Sequence, residues 1–412
     1  MSANGLRLAP EKSECVVLTN KYRYREPNLY VQGCQVPVKK AIRYLGVQLD
    51  TRLSFVDHVR SVTDGSRKAT TALGRLMPNI GGPSQSKRHL LMSVVHSRLL
   101  YGAVIWSEQV SGNQECRNLL LQAQRHAALK VARCYRTVSD MAALLLARMS
   151  PAFLLASSRK RIAVARRTGV IFTKQAVETE IIQGWQALWE STPKAAWTKR
   201  LIPDLSRWWY HGPRQVSFHM AQTLTNHRCF QKYLWTRDRA YSPACSHCPA
   251  KVNNAEHTIF ACVFWSEQRR DLALSLGRPV RPEDVQDLLC DPSTAKLPTD
   301  YHQRGRILSC SRRRREMFVK MVERIMGRKE ELERAAVGSG SVTYNVNPLS
   351  RFSFFVFLRN VFNRISVEND LALVVVVTAE AVSRAKVESS GVVKDIFWGN
   401  PAPSKIQRWV GG

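Results

Sequence analysis

The sequence predicts a mostly α-helical protein with a small β portion at its N-terminus and one small metal-binding module. Three observations carry this prediction. Apolar residues recur at helical spacing from about residue 85 onward, and compact β-prone stretches occupy the first 50 residues. Cys245, Cys248, His257 and Cys262 stand at the spacing Cys-x2-Cys-x8-His-x4-Cys.

In chain order, "NGLRLAPEKSECVVLTN" reads as a polar turn and a short apolar strand, Cys15–Leu18. A linker containing Pro27 follows, then "VQGCQVPV", a hairpin around Gly33. The segment "AIRYLGVQLD" (41–50) is mostly apolar and reads as a buried strand, with Gly46 marking a bend or close backbone approach. After "NIGGP" (79–83) the pattern turns helical. Leu91, Val94, Val95 and Leu99 share one face, as do Leu119, Leu120, Ala123, Ala127 and Val131, with Arg125, Lys130 and Arg133 opposite the latter. "MAALLLARM" (141–149) and "RKRIAVARR" (159–167) continue the helical texture. Trp185, Trp189, Trp197, Trp208, Trp209 and Trp235 then crowd one region. Behind the cysteine cluster comes an Arg-dense helix with Phe318, Met321, Val322 and Ile325 on its apolar face. The patch "GSGS" (338–341) marks a boundary, and the stretch beyond it is strand-prone.

The chain's 412 residues allow two or three domains, and its 44% hydrophobic content is that of a globular protein. The charge is the outlier: 62 Lys+Arg against 32 Asp+Glu leave a formal +30. Residues 337–412 carry only +3 of it, so the first 336 residues hold +27. Such an excess calls for a polyanion, nucleic acid or an anionic membrane surface. The membrane reading is the weaker. The longest apolar runs, "LALVVVV" (371–377) and "FFVFL" (354–358), fall far short of the roughly 20 residues that span a bilayer. Ten cysteines with one regular group fit a reducing compartment rather than a disulfide scaffold.

The cysteine cluster suits tetrahedral zinc. Cys245 and Cys248 form a knuckle, His257 and Cys262 lie about one helical turn apart, and the "PAKVNNAE" between the pairs is turn-forming. Four protein ligands leave no position for water, so the zinc is structural and contributes folding energy. His247, inside the knuckle, either points away or competes as a ligand.

"NGLRLAPEKSE" (4–14) and "YLGV" (44–47) resemble the segments that follow the catalytic aspartates in reverse transcriptases of non-LTR, LINE-type retrotransposons. "VVHSRLLYGAVIW" (94–106) resembles the thumb of the arthropod type-1 clade that inserts into ribosomal DNA. "WTKRLIPDLSRWW", "LTNHRCFQKYL", "CSHCPAKVNNAEHTIFAC" and "FVKMVERIMGRKEELERA" are similar to its downstream region, in the same order. The resemblance implies the end of a reverse-transcriptase palm with a primer-grip-like segment (1–55) and a helical thumb (56–150). A Trp-rich connector (151–240), the zinc clip (241–266), a basic helical tail (267–336) and an appended segment outside the resemblance (337–412) follow.

The resemblance also implies roles. Lys12 matches a lysine sometimes cast as general acid for pyrophosphate, or is a surface lysine closing a turn. Tyr44, Leu45 and Gly46 match the primer grip, or form a plain core strand. Lys87, Arg88 and Arg98 would track a duplex backbone. Around the clip, Lys251, Arg269 and Arg270 would face phosphates, as would Arg312, Arg313, Arg314 and Arg315 on the tail. Phe260, Phe264 and Trp265 would stack on bases or form the clip's core. The sequence contains no adjacent Asp pair, the usual form of the paired carboxylates that hold two Mg2+ ions in reverse transcriptases. The expectation is a C-terminal fragment of an RNA-directed DNA polymerase, inactive by itself, with no catalytic residues, structural Zn2+, and Mg2+ only in the full-length parent. Its partners would be RNA and DNA, with no membrane and no small-molecule substrate. It would work in the nucleus or in a cytoplasmic ribonucleoprotein. The alternatives are a host-adopted zinc-dependent nucleic-acid-binding protein and an inert product of a decayed element.

Overall fold

The structure, a computed structural model, describes residues 9–293 and 297–338. The strand-prone stretch and the boundary expected beyond Gly338 lie outside the described residues, as does most of the appended segment. The described chain falls into two compact units, 9–17 with 21–40, and 18–20 with 41–338.

In the first unit, β1 (Leu29–Val31) and β2 (Cys34–Val36) form the expected hairpin. Its turn places Gln32 and Gly33 at φ 50° and 77°, the paired left-handed conformation that matches strand twist. The expected strand Cys15–Leu18 is reduced to one parallel bridge, Cys15 to Val38. A single turn of 3-10 helix, Pro10–Lys12, precedes it.

The second unit opens on a correction. Residues 41–50 form a hairpin of β3 (Ala41–Tyr44) and β4 (Val47–Asp50), not one buried strand. Leu45 and Gly46 make the turn at φ 46° and 81°, and Leu45 is 53% exposed. Asp50 then ends the hairpin and starts the first helix. Its carboxylate accepts from the N–H groups of Arg52, Ser54 and Phe55, the last at 2.8 Å. Burial resists its ionisation, but those bonds hold its pKa below the usual value. Phe55, at φ 58°, cannot cap helix α1 (Val56–Gly74) with its own side chain, so Asp50 supplies the acceptor.

Of the helices α2 (Gln85–Leu99), α3 (Ala103–Gly112) and α4 (Gln114–Val131), α2 and α4 pack with α1, and α3 packs on α4. The buried face of α1 is mostly small and polar: His58, Val59, Thr63, Ser66, Thr70 and Gly74. Thr63 and Thr70 donate their hydroxyls to Val59 and Ser66 carbonyls, which removes the cost of burying them. Small side chains let α4 approach closely. On α2 the buried line is Arg88, Met92, Val95 and Leu99; Leu91 is half-buried and Val94, expected inside, is exposed. The α4 stripe is as expected, with Leu120, Ala123, Ala127 and Val131 fully buried and Leu119 packed on the core.

Beyond these come α5 (Asp140–Ala147), α6 (Ala152–Arg167) and α7 (Lys174–Ser191). Buried Gln124 staples α4 to them, accepting from Ala152 N–H at 2.8 Å and donating to the Ser150 carbonyl at 2.7 Å. Short helices α8 (Ala196–Leu201), α9 (Leu205–His211), α10 (Phe218–Thr225) and α11 (Gln231–Trp235) follow. Trp185, Trp189 and Trp208 are fully buried there, and Trp189 donates its indole N–H to the Ile202 carbonyl at 2.9 Å. After the cysteine cluster, α12 (Ser266–Leu276), α13 (Val285–Leu289) and the long α14 (Tyr301–Gly338) complete the unit. Phe318, Met321, Val322 and Ile325 bury the expected face of α14. One apolar cluster runs from Val47 to Met326, so the second unit shares a single core. Among the described residues no single helix is long and apolar enough to cross a membrane.

Candidate metal centre and basic surface

The loop 243–254 closes on itself before the ligands meet. Cys245 N–H donates to the Ala250 carbonyl at 2.9 Å, and Asn253 N–H to the Pro243 carbonyl at 2.7 Å. This knuckle turns both Cys245 and Cys248 inward. The second ligand pair needs different geometry, because an α-helix would place residues five apart on diverging faces. Residues His257–Ala261 instead form a π turn, and Cys262 N–H donates to the His257 carbonyl at 2.7 Å. That wider turn brings His257 and Cys262 to the same side.

The four ligand atoms lie within 4.8 Å of one another. Sγ to Sγ distances are 3.9 Å for Cys245–Cys262 and 3.8 Å for Cys248–Cys262, and Cys248 Sγ is 3.3 Å from His257 Nε2. Sulfur ligands about 2.3 Å from a tetrahedral zinc are separated by roughly 3.8 Å, so the residues fit that ion. The same distances are far too long for a disulfide, and all ten cysteines are free. Burial resists ionisation of Cys245, but bonds to its sulfur from the His247 N–H, Cys248 and the Asn253 amide hold its thiol below the usual pKa. Burial pushes the Cys262 thiol up to about 11. Burial, then Arg269 and Lys329, lower His257, which keeps its imidazole neutral as a ligand must be.

Two asparagines that sequence reasoning treated as plain loop support this set. Asn253, fully buried, donates from its amide to Cys245 Sγ at 3.4 Å and to Thr258 Oγ1 at 3.1 Å. Asn254 caps the π turn, accepting from His257 N–H at 2.8 Å. The signal available was the pair "NN" ahead of the second ligands, since asparagine both caps turns and donates to thiolate sulfur. His247 is not in the cluster. Its ring stacks on Phe264 with centroids 4.6 Å apart, the first of its two expected alternatives.

The expected phosphate-facing residues divide into two groups. Lys87 and Arg98 are exposed on α2, Lys251 and Arg270 are exposed at the clip, and Arg312 and Arg313 are exposed on α14. Tyr44 and Leu45 are exposed at the hairpin tip, so neither is part of a core strand; Lys12 is exposed on its 3-10 turn. Arg88 is a correction. It is 0% exposed, donating to the carbonyls of Pro83 (2.8 Å), Lys130 (2.9 Å), Met77 (3.2 Å) and Pro78. Its charge serves the fold, and burial pushes its pKa down to about 10. Arg269, Arg314 and Arg315 also turn inward, Arg314 to the Ser275 carbonyl at 2.8 Å and Arg315 to Asp291 at 2.5 Å. Of the aromatics, Trp265 is clip core, Phe260 packs edge-on to Trp197, and Phe264 is 48% exposed.

Fold and site thus define a basic, mostly helical protein organised around a Cys3His cluster that could hold a metal ion. Comparison with known proteins bears out the resemblance read from the motifs: the chain is similar to Pol polyproteins of R1 type-1 retrotransposable elements. It is 24% identical over 350 residues to the Retrovirus-related Pol polyprotein from type-1 retrotransposable element R1 3 of Nasonia vitripennis, covering 76% of this chain and 88% of that protein. It is 24% identical over 292 residues to the corresponding R1 2 polyprotein of the same species, across 64% of this chain and 70% of that protein. A 115 kDa protein in type-1 retrotransposable element R1DM of Drosophila melanogaster is 24% identical over 288 residues, and the match spans only 27% of its length. No family model matches the chain, and no solved structure does.

Proposed function

We propose that this chain is a reverse-transcriptase-related part of an R1-type element that binds RNA and DNA and does not itself polymerise. The observation that carries this reading is the 350-residue similarity to an R1 Pol polyprotein. The charge supports it. Lys87, Arg98, Lys251, Arg270, Arg312 and Arg313 leave the surface with free cationic reach, and a chain carrying +30 gains most from a polyanion through counterion release. The lack of an adjacent Asp pair supports the absence of polymerisation, because such a pair is the usual means by which reverse transcriptases hold the two metal ions that align a 3′-hydroxyl with its leaving pyrophosphate. Zinc at Cys245, Cys248, His257 and Cys262 would supply folding energy and no chemistry, since all four positions are filled by protein. The protein would act where it meets its nucleic acids, in the nucleus or in a cytoplasmic ribonucleoprotein.

The test uses the full chain with labelled RNA and DNA, and separately a primed template with dNTPs and Mg2+ or Mn2+. Tight binding that weakens steeply with salt, without template-directed extension, is the expected result. Extension above a mock preparation, or binding indifferent to salt, overturns the proposal.

A further inference from the structure

Two cations beside the cysteine cluster, half-buried Arg269 and fully buried Lys329, each keep a buried nitrogen with no hydrogen-bond partner among the described residues. Arg269, on α12, donates from Nη2 to the Cys262 carbonyl at 2.5 Å, while its Nη1 has no hydrogen-bond partner among the described residues. Lys329, on α14, is 0% exposed, and its Nζ is likewise without a hydrogen-bond partner among the described residues. Lys329 forms an ion pair with Glu333, one turn on, at 3.5 Å. Burying a cation with an open donor is costly unless a negative charge answers it. The protein places two such cations within reach of one site: α14 packs against the π turn that carries His257, and α12 starts four residues after Cys262.

The metal chemistry supplies the missing charge. A divalent cation held by three thiolates and a neutral imidazole carries one net negative charge. We propose that Arg269 and Lys329 are the countercharge of this anionic metal centre, so that metal retention is coupled to the packing of α12 and α14 on the clip. This rests on the metal reading proposed above. Arg269 is then a positioning residue for the cluster and not a phosphate contact, in contrast to its exposed neighbour Arg270.

The experiment uses the full chain as wild type, Lys329→Met, Arg269→Gln and Lys320→Met, the last an exposed lysine on the same helix. Zn2+ affinity is read by chelator competition, coordination geometry by Co2+ absorption, and thermal midpoints with and without metal. The expected result is a loss of about tenfold or more in Zn2+ affinity for the two buried-site variants, the usual cost of removing an outer-shell partner. Co2+ should keep a tetrahedral thiolate spectrum. Lys329→Met should shrink the rise in midpoint on metal loading more than it lowers the metal-free midpoint, because the loaded centre then loses one of the cations that answer its charge. A merely structural lysine would lower both midpoints together. Zn2+ affinity within about twofold of wild type in both variants, or equal destabilisation of loaded and metal-free protein, overturns the coupling. Should Lys329→Met fail to fold, Arg269→Gln decides. A wild-type chain that takes up no Zn2+ overturns the metal reading and this proposal with it, an outcome distinct from full uptake by the variants.

Discussion

The Tyr101 hydroxyl donates to the Leu45 carbonyl at 2.8 Å, which lays its ring against Gly46. A Cβ on Gly46 would sit 2.9 Å from Tyr101 Cε1, and the residue is already at φ 81°. Both the turn and the close approach therefore demand glycine. Gly46→Ala should destabilise the second unit by roughly 2 kcal/mol, combining left-handed strain with displacement of the tyrosine. Tyr101→Phe, which keeps the ring and loses the bond, should cost about 1 kcal/mol. Denaturant titration at unchanged slope measures both; a Gly46→Ala protein as stable as wild type would show that the ring does not constrain the turn.

Arg88 yields a prediction of the opposite kind to the one its charge suggests. Its guanidinium ties four carbonyls at the junction of α1, α2 and α4. Arg88→Ala leaves those acceptors buried and opens a void, so stability should fall by about 3 kcal/mol or more. Nucleic-acid affinity per folded molecule should not change. Calorimetry for the first quantity and anisotropy titration on the folded fraction for the second separate the two; a selective affinity loss at full stability would return Arg88 to the interface.

The contrast between Arg88 and the cysteine cluster shows what the sequence made legible. The cluster could be read because its four candidate ligands stand at a regular spacing within 18 residues of chain, the spacing that a tetrahedral metal site would impose. Helix periodicity likewise exposed α4 and α14, whose buried faces are apolar. It failed for α1, where Val59 is the one aliphatic residue on a buried face shared with His58, Thr63, Ser66, Thr70 and Gly74, too few to carry a hydrophobic period. The β3–β4 turn was missed because Leu45 occupies a left-handed position where asparagine or glycine is the usual signal. The π turn at His257 has no sequence signature beyond the ligand spacing that requires it. Whether an arginine faces solvent or carbonyls depends on partners far away in the chain, and periodicity within one helix is blind to them.

The docking of α14 should depend on pH. His219 sits between Glu323 at 2.6 Å and Glu330 at 3.3 Å, and Glu330 also pairs with Arg228 at 3.0 Å. Hydrogen bonds to Glu323 and Glu330 raise His219 to about 9, so its contribution is full below its ordinary value and is lost as pH rises through 9. Burial opposes ionisation of Glu330, yet His219 and Arg228 bring it down to about 2, so its share is present above the ordinary carboxylate range and is lost as pH falls toward 2. Both shifts describe one network and count once. Raising pH from 6 to 9.5 should cost on the order of 2 kcal/mol, discounted for the partial exposure of these groups. Amide exchange along α14 and thermal melts at both pH values measure it. His219→Gln should flatten the alkaline slope; a slope equal to wild type would assign the effect elsewhere.

The arginine run on α14 separates binding from stability within four consecutive residues. Arg312 and Arg313 are exposed, whereas Arg314 reaches the Ser275 carbonyl and Arg315 pairs with Asp291. If about five phosphate contacts form on duplex, log K should fall against log salt with a slope near −4.5. Replacing Arg312 and Arg313 together by alanine should make that slope shallower by roughly 2 if both touch phosphate, with stability within about 0.5 kcal/mol of wild type. Replacing Arg314 and Arg315 should instead lower stability by about 1–2 kcal/mol, through loss of the Ser275 bond and the half-buried ion pair, and leave the salt slope of the folded protein unchanged. Titrations at several salt concentrations beside denaturant curves for the two double variants give all four numbers. An unchanged slope in the Arg312, Arg313 pair would take this stretch of α14 out of the interface and leave Lys87, Arg98, Lys251 and Arg270 to carry the contacts.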